Sequence, residues 1–352
     1  MVGFRFGCDN RTQSAQRPIR PTARPGMTID SEFSPSANPS YPPLRDCWYL
    51  AGPTASGKTG VGLELAERID GEIISLDSMA VYRGMDVGTA KPTLDERRRV
   101  PHHMIDVVSP EQEFSLSQFM EASHQAVRDI TNRKRQAVFV GGTPLYLKSL
   151  LRGVVAGPPA DWEFRQQIEA ELEEVGIAAL HQRLQQVDPL AAAKLHPNDK
   201  RRIIRALEFY KATGKPISHE QVHFDDTPAG GCHVFVLSWS REELRARIEA
   251  RVDRMFSQGM VDEVRGLLAK HGQFSRTALQ AVGYREVIEF LKDQRSLDET
   301  VELVKIRTRQ FARRQLTWFR SLEECRWFPL DTEQKQSDVA ESIVDLVDEQ
   351  AR

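Results

Sequence analysis

Cysteine is scarce and scattered in this sequence of 352 residues: Cys8, Cys47, Cys232 and Cys325 are its four, and no two form a C-x-x-C pair. That spacing argues against a disulfide framework or a structural zinc site and suits a reducing compartment. Long apolar runs are also missing; nothing approaches the ~20 residues that span a bilayer. Neither sign of charge dominates, since 48 basic residues stand against 50 acidic ones for a formal net charge of −2. A protein coated in positive charge is thereby excluded, but a local basic groove for nucleic acid is not. With 40% hydrophobic and 28% charged residues, the composition is that of a globular protein, expected in the cytoplasm and off the membrane. The length allows a core domain and a second, smaller one.

What is present is led by a phosphate loop. Gly52-Pro53-Thr54-Ala55-Ser56-Gly57-Lys58-Thr59 fits G-x-x-x-x-G-K-[ST]. An apolar run from Cys47 to Ala51 precedes it, and Val61, Leu63, Leu65, Ala66 and Ile69 follow at helical spacing. Strand, loop and helix in that order separate a phosphate site from a chance match. The glycines let consecutive N–H groups face phosphate oxygens, and the helix N-terminus adds partial positive charge. Lys58 can reach the outer phosphate and Thr59 can ligate Mg²⁺. The expected ligand is a polyphosphate.

Residues 1–45 read differently. Seven prolines between Pro18 and Pro43 interrupt any helix, and the segment has too little apolar surface to offset its ordering entropy. It is expected to be a disordered extension, or to precede a true start at Met27. Its arginines faintly resemble a transit peptide, a reading its prolines weaken.

Past the phosphate loop, Glu72 to Leu76 reads as a second strand ending at Asp77, which places this acid on the same rim. Asp77 then has three open readings: a helix cap, an acid holding magnesium through water, or a catalytic group. A helix over about 115–132, a strand at Ala137–Val140 and a helix after Gly141-Gly142-Thr143 continue the alternation. The expected fold is α/β, a P-loop nucleotide-kinase-like three-layer core with a parallel sheet. His102 and His103 have no metal-ligand spacing and read as structural.

Between 158 and 230 only amphipathic helices are expected, Trp162–Val175, Ile177–Val187 and Lys200–Thr213, forming a helical insertion. Asp199 is the expected cap of the third. Lys200, Arg201, Arg202 and Arg205 crowd its first two turns, where positive charge opposes the helix dipole, which suggests a polyanion partner. The core, begun over 46–157, resumes over 231–330. A long helix there carries six basic residues against Glu302 alone between positions 300 and 320, a local charge of +5. A final helix is expected within 331–352.

Several further stretches, in order, resemble the tRNA dimethylallyltransferase (tRNA isopentenyltransferase) family. They are the phosphate loop, Asp77-Ser78, the run Val81 to Pro92, Pro101-His102-His103, Gly141 to Tyr146, His196-Pro197-Asn198-Asp199, Val282-Gly283-Tyr284-Arg285 and Arg314-Gln315-Leu316-Thr317-Trp318. The resemblance spans about Trp48 to Phe328 and implies transfer of a dimethylallyl group from dimethylallyl diphosphate to the exocyclic amine of an adenosine beside the tRNA anticodon. It makes Asp77, Thr54 and Arg251 the catalytic residues, and Gly52, Pro53, Thr54, Ala55, Ser56, Gly57, Lys58 and Thr59 the diphosphate cradle, with Mg²⁺ on Thr59. Contacts to the anticodon stem-loop are implied for Asp77, Ser78, Met79, Ala80, Thr143, Arg165, Arg201, Arg202, Ile203, Ile204, Arg205, Gln280, Ala281, Val282, Gly283, Tyr284 and Arg285. Ala80 departs from the glutamine common in the family, and no Cys/His zinc-finger extension follows the core, so the bacterial type is expected; a monomer is expected as well. The rival readings are an adenylate isopentenyltransferase, for which the basic helices have no use, a P-loop kinase, and a non-catalytic RNA-binding protein.

Overall fold

The computed structural model describes residues 40–155, 157–221 and 233–351. Its strands are β1 (Ser40–Tyr41), β2 (Trp48–Ala51), β3 (Gly71–Leu76), β4 (His102–His103), β5 (Gln136–Gly141), β6 (Val154–Val155), β7 (His233–Ser238) and β8 (Arg326–Pro329). Six of them form one parallel sheet in the order β4-β3-β5-β2-β7-β8. Parallel strands are buried on both faces, which is why they read as continuous apolar runs. Successive side chains still point to opposite faces. Tyr49, Phe139 and Val236 enter the core on one side, whereas Leu50, Val138 and Phe235 enter the core on the other.

Helices Leu116–Asn132 and Pro144–Arg152 cover the first face. The former starts at a capping box, Ser115 with Gln118, which satisfies N–H groups that have no partner inside the helix. Helix Lys58–Arg68 covers the second face together with Gln336–Ala351. The C-terminal helix, expected as a separate element, instead completes a core layer: Val339, Ala340, Ile343 and Val347 are buried in one cluster with Val61 and Leu65.

The expectation of disorder through residue 45 is corrected at its end. Ser40 and Tyr41 pair antiparallel with Val155 and Val154, and the Leu44 N–H donates to the Leu150 carbonyl. The remainder of that expectation, with Met27, Cys8 and Cys232, lies outside the described residues. Helices Trp162–Val187, Pro189–Lys194, Lys200–Thr213 and Ile217–Gln221 share a core of their own around Phe164, Ile168, Leu184, Ile203 and Leu207. Gly176 takes non-helical angles within the first of them. No helix among the described residues is long and apolar enough to cross a membrane.

The sheet order places the site. From the carboxyl end of β2 the chain runs back past β5 to β3, whereas from the neighbouring β7 it runs the other way, to β8. Such a switch point opens a crevice beyond the carboxyl end of the strand, and the phosphate loop leaves β2 there.

Candidate active site and nucleic-acid groove

Gly57 ends the phosphate loop at φ 88°, a left-handed conformation that a side chain would strain, and from it helix Lys58–Arg68 begins. No side chain caps this helix, so its first N–H groups stay available to an anion. The loop's carbonyls are engaged elsewhere. Lys58 Nζ donates to the Pro53 carbonyl at 2.6 Å, Arg247 Nε to that of Ala55 at 3.0 Å, and Trp239 Nε1 to that of Ser56 at 3.0 Å. Arg247 also lies over the Trp239 ring, 4.2 Å from its centroid.

Gln315 braces the loop from the far side. Its Oε1 accepts the Thr54 N–H at 2.9 Å, and its Nε2 donates to the Gly142 carbonyl at 2.6 Å. One buried side chain on the long helix thus fixes the separation between the phosphate loop and the loop after β5.

Lys58, Arg251 and Asp77 come close enough to act on one another electrostatically. Burial lowers the Lys58 ammonium to about 7, the neighbouring Arg251 pushes it in the same direction, and Asp77 opposes them. Burial also lowers the Arg251 pKa, again against Asp77. Two desolvated cations beside one carboxylate leave an excess of positive charge that an anionic ligand relieves. Arg251 Nη2 is aimed by a hydrogen bond to the Thr89 carbonyl at 3.1 Å. Asp77 follows β3 directly, and its Oδ1 accepts the Met79 N–H at 2.8 Å. That bond caps a turn rather than a helix, which removes the helix-cap reading. Thr143 anchors the same strand end: its Oγ1 accepts the Ser78 N–H at 3.1 Å.

A second concavity, a groove of about 1070 Å³, separates the helical segment from helices Met260–His271 and Tyr284–Leu291. Arg165, Lys200, Arg201, Arg276, Arg285 and Lys292 line it. Trp162 stands at its edge between two guanidinium groups, Arg165 at 4.7 Å and Arg276 at 4.5 Å from the ring centroid.

The structure therefore gathers the expected site residues into two places and sets some apart. The phosphate loop, Asp77, Thr143 and Arg251 surround the sheet crevice, and Arg165, Arg201, Gln280 and Arg285 line the groove. The side chains of Ala80, Ile203, Ala281 and Tyr284 are buried, and Gly283 is enclosed as well, so these residues lie beneath the surface; Ile204 is also largely buried, yet it lines the groove. Arg165 and Arg205 are both committed to buried Glu208, and Arg202 pairs with Asp199 at 2.6 Å. Burial raises the Glu208 pKa, but hydrogen bonds from Arg165 and Arg205 outweigh it and hold the carboxylate ionised. Of the long helix's cations, Lys305 pairs with Asp253, Arg309 with Glu249 and Arg307 with Glu286. Three of the six cations expected there as a free basic stripe are thus neutralised.

Arg247, Gln315, Trp162 and Arg276 received no role from the sequence. A signal existed for two of them: Arg247 is four residues from Arg251 and shares its helix face, and Gln315 sits inside the Arg314–Trp318 stretch. His102 and His103 are structural, with His103 Nε2 bonded to buried Glu72 at 2.7 Å. Among the described residues, no three His, Cys, Asp or Glu side chains gather as a metal cluster.

The family described as IPP transferase matches residues 80–322. A tRNA dimethylallyltransferase of Rhodopirellula baltica is 49% identical over 325 residues, 88% of this chain and 97% of that one. One from Geobacter metallireducens is 49% identical over 280 residues, 79% of this chain and 90% of its own. Among solved structures, the tRNA isopentenylpyrophosphate transferase of Bacillus halodurans is 36% identical with a TM-score of 0.62, over 88% of this chain and 98% of that one. A eukaryotic dimethylallyltransferase acting on tRNA is 27% identical with a TM-score of 0.71, over 88% and 80%.

Proposed function

The chain belongs to the tRNA dimethylallyltransferase family, and from that premise we propose how its residues divide the reaction between them. It is a prenyltransferase: it moves the dimethylallyl group of dimethylallyl diphosphate onto an adenosine of tRNA. The observation that carries the division of roles is the convergence of Lys58, Arg251 and Asp77 beside an uncapped helix N-terminus.

The diphosphate lies in the loop Gly52 to Thr59. The exocyclic amine of the adenosine beside the anticodon attacks the allylic carbon, a carbon–nitrogen bond forms, and the carbon–oxygen bond to diphosphate breaks. Charge develops on the leaving oxygen, where the loop N–H groups, Lys58 and Arg251 stabilise it in a partly desolvated site. The amine's lone pair is delocalised into the ring, so a carboxylate that takes its proton assists attack; Asp77 is that base. The adenosine leaves the anticodon stack to reach this depth. Thr59 offers one hydroxyl to magnesium, a donor set that suits an ion held mainly by phosphate oxygens and water. When bound, magnesium would share the leaving group's charge.

The groove supports tRNA as acceptor over a free nucleotide, since AMP would need no second basic concavity. Incubation with labelled dimethylallyl diphosphate and unmodified tRNA should place label on the adenosine beside the anticodon. Label on AMP with none on tRNA would overturn the reading. Arg201 lines the groove with no ion-pair partner among the described residues, so Arg201→Ala should reduce the salt slope of tRNA binding by about 1. An unchanged slope would remove the groove from the RNA path.

Lys58 offers a test at the other site. With its free-state value near 7, the lysine is largely neutral at pH 8, and a bound diphosphate raises that value again. Binding of the donor should therefore take up close to one proton per site, read by calorimetry at pH 8 in buffers of different ionisation enthalpy. Lys58→Arg should abolish the uptake. Equal uptake in both proteins would exclude Lys58 as its source.

A further inference from the structure

Glu263 has no role in the chemistry above, yet it is the hub of an unusual set of bonds. It lies in the first turn of helix Met260–His271, and its carboxylate accepts four hydrogen bonds. Three come from consecutive backbone groups of the loop after the Asp77 turn: Asp86 N–H at 2.8 Å, Val87 N–H at 2.6 Å and Gly88 N–H at 3.2 Å. The fourth comes from the Tyr284 hydroxyl at 2.6 Å. Burial, reinforced by the Glu263 charge, raises the Tyr284 pKa well above its ordinary value, so this hydroxyl keeps its proton and remains a donor.

The loop it holds carries Thr89, whose carbonyl is the acceptor that aims Arg251. Little slack lies between them. A Cβ on Gly88 would fall 2.5 Å from the Tyr284 ring, and Lys91, its side chain almost wholly buried, closes the loop onto Asp86 and Asp106 at 2.7 Å each. On its other side, Tyr284 begins the helix whose Arg285 and Glu289 line the basic groove. The path from groove to arginine thus runs from Tyr284 to Glu263, through three backbone amides to Thr89, and on to Arg251.

We propose that Glu263 is a positioning residue for the diphosphate arginine: by gripping the amides of residues 86–88 and the Tyr284 hydroxyl, it sets Arg251 against the leaving group and ties that setting to the groove's Tyr284–Leu291 helix. Three aligned N–H groups on one ionised acceptor form short, charge-assisted bonds, strong enough to fix a glycine-containing loop. A neutral amide cannot replace it, because its NH₂ would face a donor. This inference rests on the assignment of Arg251 to the diphosphate.

The test uses Glu263→Gln. The KM for dimethylallyl diphosphate should rise about tenfold while the KM for tRNA stays near wild type, measured at a temperature where the variant is fully folded. A loss confined to kcat at unchanged donor KM is the signature of a smaller folded fraction and would overturn the proposal. The second measurement is a cycle with Arg251→Ala. If Glu263 acts through Arg251, adding Glu263→Gln to that background should change donor KM no further; full additivity would break the link. Should Glu263→Gln fold poorly, Tyr284→Phe removes one of the four bonds and should raise donor KM in the same direction by a few-fold; an unchanged KM would count against the proposal. Wild-type transfer to tRNA is measured alongside. Its absence would refute the function itself, whereas its presence with unaltered variants refutes only the role of Glu263.

Discussion

Asp77→Asn should lower the rate of dimethylallyl transfer by about 10²–10⁴-fold while leaving the dissociation constant for tRNA nearly unchanged. Asparagine keeps an oxygen that accepts the Met79 N–H, as Asp77 Oδ1 does at 2.8 Å, so the turn after β3 survives. Basicity is what is lost. Asp77→Ala removes both the proton acceptor and the turn's cap and should be at least as inactive. The pair therefore separates chemistry from local structure: equal losses in both variants locate the effect in the missing base. A loss in alanine alone would locate it in the turn, and wild-type turnover by asparagine would end the general-base assignment. Removing Asp77 also takes away the one negative neighbour that favours the charged forms of Lys58 and Arg251. Donor affinity is therefore a necessary control, measured by competition with inorganic diphosphate.

Gln315→Leu should be the next most damaging change. Leucine is close in volume but forms neither bond, so the Thr54 N–H and the Gly142 carbonyl lose their partner together. An unmet buried polar group costs about 1–3 kcal/mol, and thermal unfolding should register that loss. A kinetic effect of comparable size is expected. With the phosphate loop released from the loop after β5, a displacement on the order of 1 Å suffices for about a 10²-fold loss of rate. Gln315→Glu makes the cause visible, because it retains an acceptor for Thr54 N–H but opposes one oxygen to the Gly142 carbonyl. It should bind donor more weakly than wild type, with its added negative charge beside the diphosphate. A Gln315→Leu enzyme with normal kcat/KM would show that the loop holds its shape without the brace.

Much of the sheet was readable in advance because its signals are local. The runs Cys47–Ala51 and Ala137–Val140 lie within one residue of β2 and inside β5, and Asp199 caps its helix as expected from the Pro197-Asn198-Asp199 sequence. These are effects of neighbouring residues: buried strands are apolar, and a short acid before a helix accepts an N–H. The C-terminal helix was readable as a helix but not as a wall of the core, since nothing in its periodicity names the surface it meets.

Charge was the hardest feature to read. Arg165, Arg205, Lys305 and Arg309 resembled free cations awaiting RNA, yet each meets a carboxylate. Lys305 and Asp253 are more than fifty positions apart, and Gln315 meets Thr54 across 261. A basic residue is the same letter whether it faces solvent, RNA or a glutamate.

By itself, then, the sequence determined that a phosphate loop ends a buried strand, that Asp77 shares its rim, and which residue types meet there, because each of these follows from interactions along a few residues of chain. Which cations remain open in the groove, which glutamine braces the loop, and how Glu263 reaches Arg251 were decided only by tertiary structure. Those choices depend on which distant surfaces come within hydrogen-bonding range, and they arise only when the sheet, its helices and the helical segment are packed together.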